Sequence, residues 1–152
     1  MNEEEKKAGE ELPEALSAFL RRWGIPRGLV FRVGSCWLIN LTPHPLRLDD
    51  GRVIPAAPES VAKLLEAKPI DRLVFRTEDG TEFVEPTFMP EDRGLEMCRE
   101  ACGIRGLYLV GSIISARAYG APVVSPIVTP ETRRKPPAER VVFAKRWTCY
   151  WR

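Results

Sequence analysis

His44 is the only histidine in the 152-residue chain, and it stands between Pro43 and Pro45 in the run Ile39-Asn40-Leu41-Thr42-Pro43-His44-Pro45-Leu46. A proline pushes the residue before it toward extended backbone. The imidazole is therefore presented at a fixed angle, with little positioning entropy left to lose. A general base or a metal ligand would use such a projection. General-base work also needs a nucleophile or an orienting acid, and no neighbouring motif supplies one. The competing reading is a strand-ending turn in which Asn40 and Thr42 satisfy backbone groups. The local sequence favours that turn, and a small enzyme built on His44 with Ser112, a cysteine or a distant acid ranks behind it.

Cys98 and Cys102 are four apart on an expected helix, so their thiols share a face. That face could give two thiolates to zinc, with His44, Cys36 or Cys149 completing the set. The spacing is not that of a zinc knuckle, and the remaining ligands are scattered singly. Disulfides among Cys36, Cys98, Cys102 and Cys149 are the stronger alternative, with three pairings open. No Cys-x-x-Cys is present, which argues against a dithiol redox catalyst. No cofactor is expected.

Gly111-Ser112 lies between an apolar run and a helical pattern. Exposed amides at a helix start attract anions, and a small Gly-Ser pair lets a phosphate approach. Neither G-x-x-x-x-G-K-[ST] nor G-x-G-x-x-G occurs, and a serine N-cap is the commoner reason for such a pair.

The C-terminal segment offers a different chemistry. Arg133, Arg134, Lys135 and Arg140 precede Lys145-Arg146-Trp147-Thr148-Cys149-Tyr150-Trp151-Arg152. Cations that track phosphates, interleaved with aromatic faces that stack on bases, suit single-stranded nucleic acid. The bland alternative is an apolar face buried in the core with the basic groups solvated, and exposed Trp, Tyr and Arg are also the usual anchors of a protein interface. As a strand, Val141, Phe143, Lys145, Trp147, Cys149 and Trp151 share one face, and Val142, Ala144, Arg146, Thr148 and Tyr150 the other.

The elements that must hold these residues follow from periodicity. Leu12, Leu16, Phe19, Leu20 and Trp23 form one helical stripe behind Pro13, closed by Gly24 and Pro26. Residues 29–33 and 36–39 flank Gly34-Ser35 as a hairpin or a bulge. Residues 46–48 and 52–54 turn through Asp49-Asp50-Gly51, and 73–76 and 82–84 through Glu78-Asp79-Gly80. Residues 59–67 suggest a short helix, and Met89 to Cys102 a longer one with acids in its first turn. Residues 106–110 read as a buried strand, Ser112 as an N-cap and 113–119 as a short helix before Gly120. Val123-Val124 are extended, 125–139 a proline-punctuated loop, and 141–151 a final strand. The sum is one α+β domain over 12–152, mostly antiparallel, with an N-terminal helix and two or three short helices. Residues 1–11 are expected to be a flexible acidic lead-in.

The composition is ordinary for a globular chain, 44% hydrophobic and 29% charged, rather than for a disordered one. No apolar run approaches the ~20 residues of a membrane helix, and the first residues carry no apolar signal core. The expectation is a cytoplasmic protein with no membrane partner. Gln is absent, Asn occurs at positions 2 and 40 alone, and Arg outnumbers Lys 17 to 6. Avoidance of labile amides, with 14 prolines, is the drift of thermophile proteins. A GC-rich genome would explain Arg and Pro but not the missing Gln. Thermophile intracellular proteins also use disulfides. The net charge of +2 conceals a gradient, from −4 over residues 1–20 to +6 over 133–152.

Three segments, NLTPHPLRLDDGRVIPAAPESVAK (40–63), GLYLVGSIISARAYG (106–120) and VVSPIVTPE (123–131), together resemble a group of short phage and prophage proteins with an Asn-Leu-Thr-Pro-His box. The resemblance spans roughly residues 39–131 and implies a viral or prophage setting, in the host cytoplasm. It implies no activity. The favoured function is a non-enzymatic binding or assembly module, a homo-oligomer or a partner of host or viral protein. Nucleic-acid or nucleotide binding by the basic tail is the first alternative.

Overall fold

A computed structural model describes residues 11–151. Of the acidic lead-in, residues 1–10 lie outside the described residues, as does Arg152 at the end of the basic tail.

The N-terminal stripe forms helix α1 (Glu14–Trp23), which buries Leu16, Phe19, Leu20 and Trp23. Each such side chain contributes about 1.5–3 kcal/mol on leaving water. Gly24 stops the helix at φ 66°, a left-handed conformation that glycine adopts without steric cost. On the solvent side Arg22 pairs with Glu96 (2.8 Å) and Glu100 (3.2 Å), and the Trp23 indole N–H donates to Glu100. These contacts fasten α1 to the helix that carries both glutamates.

The main sheet has five strands in the order β1 (Val30–Val33), β2 (Cys36–Asn40), β7 (Leu107–Val110), β8 (Val123–Val128) and β9 (Val142–Cys149). β1–β2 and β8–β9 are antiparallel, whereas β2–β7 and β7–β8 are parallel. The parallel centre explains the uninterrupted apolar runs Trp37-Leu38-Ile39 and Leu107-Tyr108-Leu109-Val110. A central strand covered on both faces has no polar side to alternate with. Trp37, Ile39, Leu107, Leu109 and Val123 face a core shared with α1, α3 (Asp92–Cys102) and α4 (Ile113–Tyr119). Phe31, Leu38, Val110, Val124 and Val142 face a second, smaller core.

That second core exists because the sheet curls. Phe31 on one edge strand and Trp147 on the other stand with ring centroids 6.1 Å apart. A short hairpin, β3 (Leu46–Arg47) and β4 (Val53–Ile54), bridges part of the remaining gap. It reaches β9 through the Asp49 N–H to Val142 O (2.9 Å) and the Ala144 N–H to Asp49 Oδ1 (2.8 Å). It reaches β1 through Arg52, which donates to Arg32 O at 2.7 Å. The result is a partly closed barrel, within a domain whose remaining strand pairs, β3–β4 and β5–β6, are antiparallel, with one isolated parallel bridge between Leu48 and Val142.

Between β4 and α3 lie helix α2 (Glu59–Ala62) and a two-stranded arm, β5 (Ala67–Arg76) paired with β6 (Glu82–Pro90). The sequence suggests only the tip of this arm, with a helix from Met89. Met89 and Pro90 instead end β6, and α3 begins at Asp92. Prolines 69, 86 and 90 suggest breaks, yet each strand of a two-stranded ribbon has an open edge where proline is tolerated. Residues 125–128, expected in a loop, continue β8. The face assignment in β9 also changes along its length. A register shift opposite Pro126–Val128 moves the inward phase from Val142 and Ala144 to Trp147 and Cys149, as an inserted residue does.

Candidate functional site

The His44 segment is organised from below by Asn40, which is 0% exposed. Asn40 Nδ2 donates to His44 O (3.0 Å) and Pro55 O (2.9 Å), and Oδ1 accepts from the Thr42 N–H (3.1 Å). The Thr42 hydroxyl shares its proton between Asn40 Oδ1 (2.7 Å) and His44 O (2.9 Å). An amide is required, because one end must donate twice and the other must accept. It is the His44 carbonyl that this network uses. The imidazole is exposed, and among the described residues none hydrogen-bonds to it. The segment is a strand-ending turn, as its sequence suggests.

Ser112 caps α4, accepting the Ser115 N–H at 3.1 Å. Gly111 is needed for space rather than for a ligand. A Cβ there would lie 3.1–3.3 Å from Ser115, Val123 and Leu65, tighter than ordinary packing. The pair sends its hydrogen bonds inward: Ser112 Oγ donates to Ser115 Oγ (3.1 Å), which donates to Leu65 O (2.6 Å).

The cysteines do not converge. Cys98 is buried beneath α3 and Cys102 on the same helix is exposed, while Cys36 and Cys149 belong to the second core across the sheet. All four are free thiols, so the expected disulfides are not formed. Among the described residues no cluster of His, Cys, Asp and Glu could hold a metal ion. Burial pushes the Cys98 thiol up to about 12, with the neighbouring Cys102 adding to the shift, and burial also raises Cys149.

The basic aromatic tail is taken apart by the fold. Trp147 packs on Phe31, and its indole N–H donates to Ala144 O at 2.9 Å. Tyr150 is half-buried against the main core. Trp151 alone keeps an open ring, 77% exposed. Arg133, Arg134, Lys135, Lys145 and Arg146 are exposed, but the stacking half of the expected constellation is largely committed to packing.

The surface that sequence reasoning missed is the arm. Both of its strands stand open to solvent on both faces. By the pairing register, Pro69/Phe88 and Leu73/Val84 share one face, while Ile70 and the Phe75/Phe83 pair share the other with Met89. The phenyl rings stack at 5.4 Å, and Val74 occupies a bulge. Eight large apolar side chains here are 37–61% exposed. The arm's cations are neutralised across the strands, Arg72 by Glu85 (2.5 Å) and Arg76 by Glu82 (2.6 Å).

The base of the arm is held by α4. Tyr119 Oη accepts the Glu91 N–H (3.0 Å) after β6 and donates to Glu66 O (2.7 Å) before β5. One hydroxyl thus ties both ends of the arm to the body. Gly94 makes room for that ring: a Cβ at Gly94 would stand 2.6 Å from Tyr119 Cζ and 2.7 Å from Leu64 O. The remaining signal in the sequence was the density of Val, Phe and Ile between residues 70 and 88, which the prolines masked.

Comparison with protein-family models, with curated proteins and with solved structures finds no match. No helix among the described residues is long and apolar enough to cross a membrane.

Proposed function

We propose that the protein is a non-catalytic assembly module that associates with a second copy of itself through the β5–β6 arm. The observation that carries this reading is the arm's exposed apolar surface. Its eight large apolar side chains, 37–61% exposed, are divided between the two faces of the ribbon, so both faces offer apolar surface to a partner. The largest apolar patch on a typical monomer is ~300–600 Å² and is often functional, and this ribbon is open on both of its faces. A two-stranded ribbon alone in water is also marginal, so burial of its faces would stabilise the arm itself.

The occupant is argued from charge and geometry. Cross-strand ion pairs leave the apolar rows without a charge that would select a basic or acidic partner, and the arm carries Lys68, Arg72 and Arg76 against five acids, which disfavours nucleic acid. Prolines on both strands blunt edge-to-edge pairing, leaving face-to-face packing. Two copies related by a two-fold axis meet through identical patches, with Phe or Leu/Val rows facing their equals. The viral or prophage setting, and with it a host cytoplasm, is supported by the Asn40–His44 box, and a thermophilic source by the amide-poor composition. Light scattering on the full chain tests the reading: a mass of two or more chains is expected, and a strict monomer overturns it.

A further inference from the structure

The gap in the curled sheet is not filled along its whole length. Where β3–β4 stops, a cavity of about 520 Å³ opens onto the second core. That volume falls in the ~300–1,000 Å³ range of small-molecule sites. Its walls come from all five barrel strands and the turn joining β1 to β2: Val33, Leu38, Tyr108, Val124 and Trp147 supply apolar surface, and Cys36 and Cys149 supply two thiols. Such walls admit an apolar body and offer a metal or a phosphate little.

One end of the cavity is different. Lys145 is the sole charged residue among the described ones that line it. Among the described residues no carboxylate pairs with its ammonium, and the Tyr108 hydroxyl, also in the lining, has no hydrogen-bond partner among them. The neighbouring carboxylates are already engaged. Asp49 accepts from the Ala144 N–H, and Asp50 is held by Arg52 at 2.7 Å. A ligand with an apolar body and one anionic end would bury the first in the barrel and place the second on Lys145, where a charge-assisted hydrogen bond is stronger than a neutral one. We infer that this cavity binds a small apolar carboxylate, of the medium-chain or aryl type, independently of the arm.

The two thiols report on the site, and the exposed Cys102 serves as an internal control. Decanoate is titrated into the full chain, and alkylation by iodoacetamide is followed at each cysteine by peptide mass mapping. Saturable protection of Cys36 and Cys149 is expected, with Cys102 unchanged and the tryptophan fluorescence shifting over the same range, since Trp147 and Trp151 line the cavity. Lys145→Met keeps the apolar stem and removes the charge, and should weaken protection about tenfold, the loss of a hydrogen bond to a charged group. Neutral decanol should protect the wild-type chain about tenfold less well than decanoate, for the same reason. Absence of protection, slowing of Cys102 to the same extent, or equal protection by decanol and decanoate would each overturn the inference. An effect of decanoate that Lys145→Met leaves unchanged would overturn it as well.

Discussion

Replacing Asn40 is the sharpest test of how this fold is held together. The side chain is wholly buried and makes two donor bonds and two acceptor contacts. In Asn40→Ala the Thr42 N–H and Pro55 O lose the partners described above, at roughly 1–3 kcal/mol for each unsatisfied group. The sum is about 2–6 kcal/mol, a large part of the ~5–15 kcal/mol that keeps a domain folded. Asn40→Asp is the more telling variant because its shape is conserved. It would set a carboxylate oxygen against the carbonyls of His44 and Pro55, where Nδ2 now lies 3.0 and 2.9 Å away. Burial and the facing oxygens raise the pKa of such a group in the folded state above its unfolded value of ~3.9. A raised folded pKa makes the native state the tighter proton binder, so stability falls as pH rises from about 4 toward neutrality. Guanidinium unfolding of wild type and both variants at pH 4 and pH 7 reads this directly. The Asn40→Asp deficit should grow between the two, while the Asn40→Ala deficit stays flat. A variant carboxylate within about 1 kcal/mol of wild type at pH 7, or a deficit indifferent to pH, would refute the assignment of a dual-donor amide.

Tyr119→Phe should cost about 1–2 kcal/mol, because Glu66 O and the Glu91 N–H lose their shared partner, and it should speed amide exchange in β5 and β6 ahead of the main sheet. Equal exchange in arm and sheet would show that the hydroxyl is not the clamp. Cys98 should resist alkylation at pH 8 while Cys102 reacts. Since its folded thiol keeps its proton to about 12 against an ordinary 9.0, stability present below pH 9 should fall across that window as the unfolded chain ionises first. Cys98→Ala should flatten that slope, and an unchanged alkaline unfolding curve would contradict it.

How far the sequence foretold this molecule depended on whether local rules governed each part. The α1 stripe, the Gly34, Gly51 and Gly80 turns and the Ser112 cap were legible because period, left-handed glycine and capping oxygen act within a few residues. So was the His44 turn, since Asn40 and Thr42 are the partners it needs and lie within four positions. The arm was not. Its prolines argue against strand only when both edges are assumed to be paired, a tertiary fact. The cavity was invisible for a similar reason: Cys36 and Cys149 are more than a hundred positions apart, and only the curl of the sheet brings their walls around one space. The basic aromatic tail was ambiguous in the sequence, because interleaved Trp and Arg read alike whether the rings face bases or a core. The bulge in β9 decided for the core at Trp147.

The measurement that bears most directly on the proposed function is the solution mass of the full chain and of one arm variant. Phe75→Lys combined with Phe83→Glu replaces the stacked pair by a cross-strand ion pair of the kind already made by Arg72 and Glu85, so the ribbon is retained while its apolar row is lost. Circular dichroism and thermal unfolding establish that the variant is folded. The wild-type chain should scatter as at least twice its 17.2 kDa mass, and the folded variant as a monomer or with sharply weakened association. A wild-type monomer at every concentration, or a variant that associates as tightly as wild type, would contradict the arm as an assembly surface.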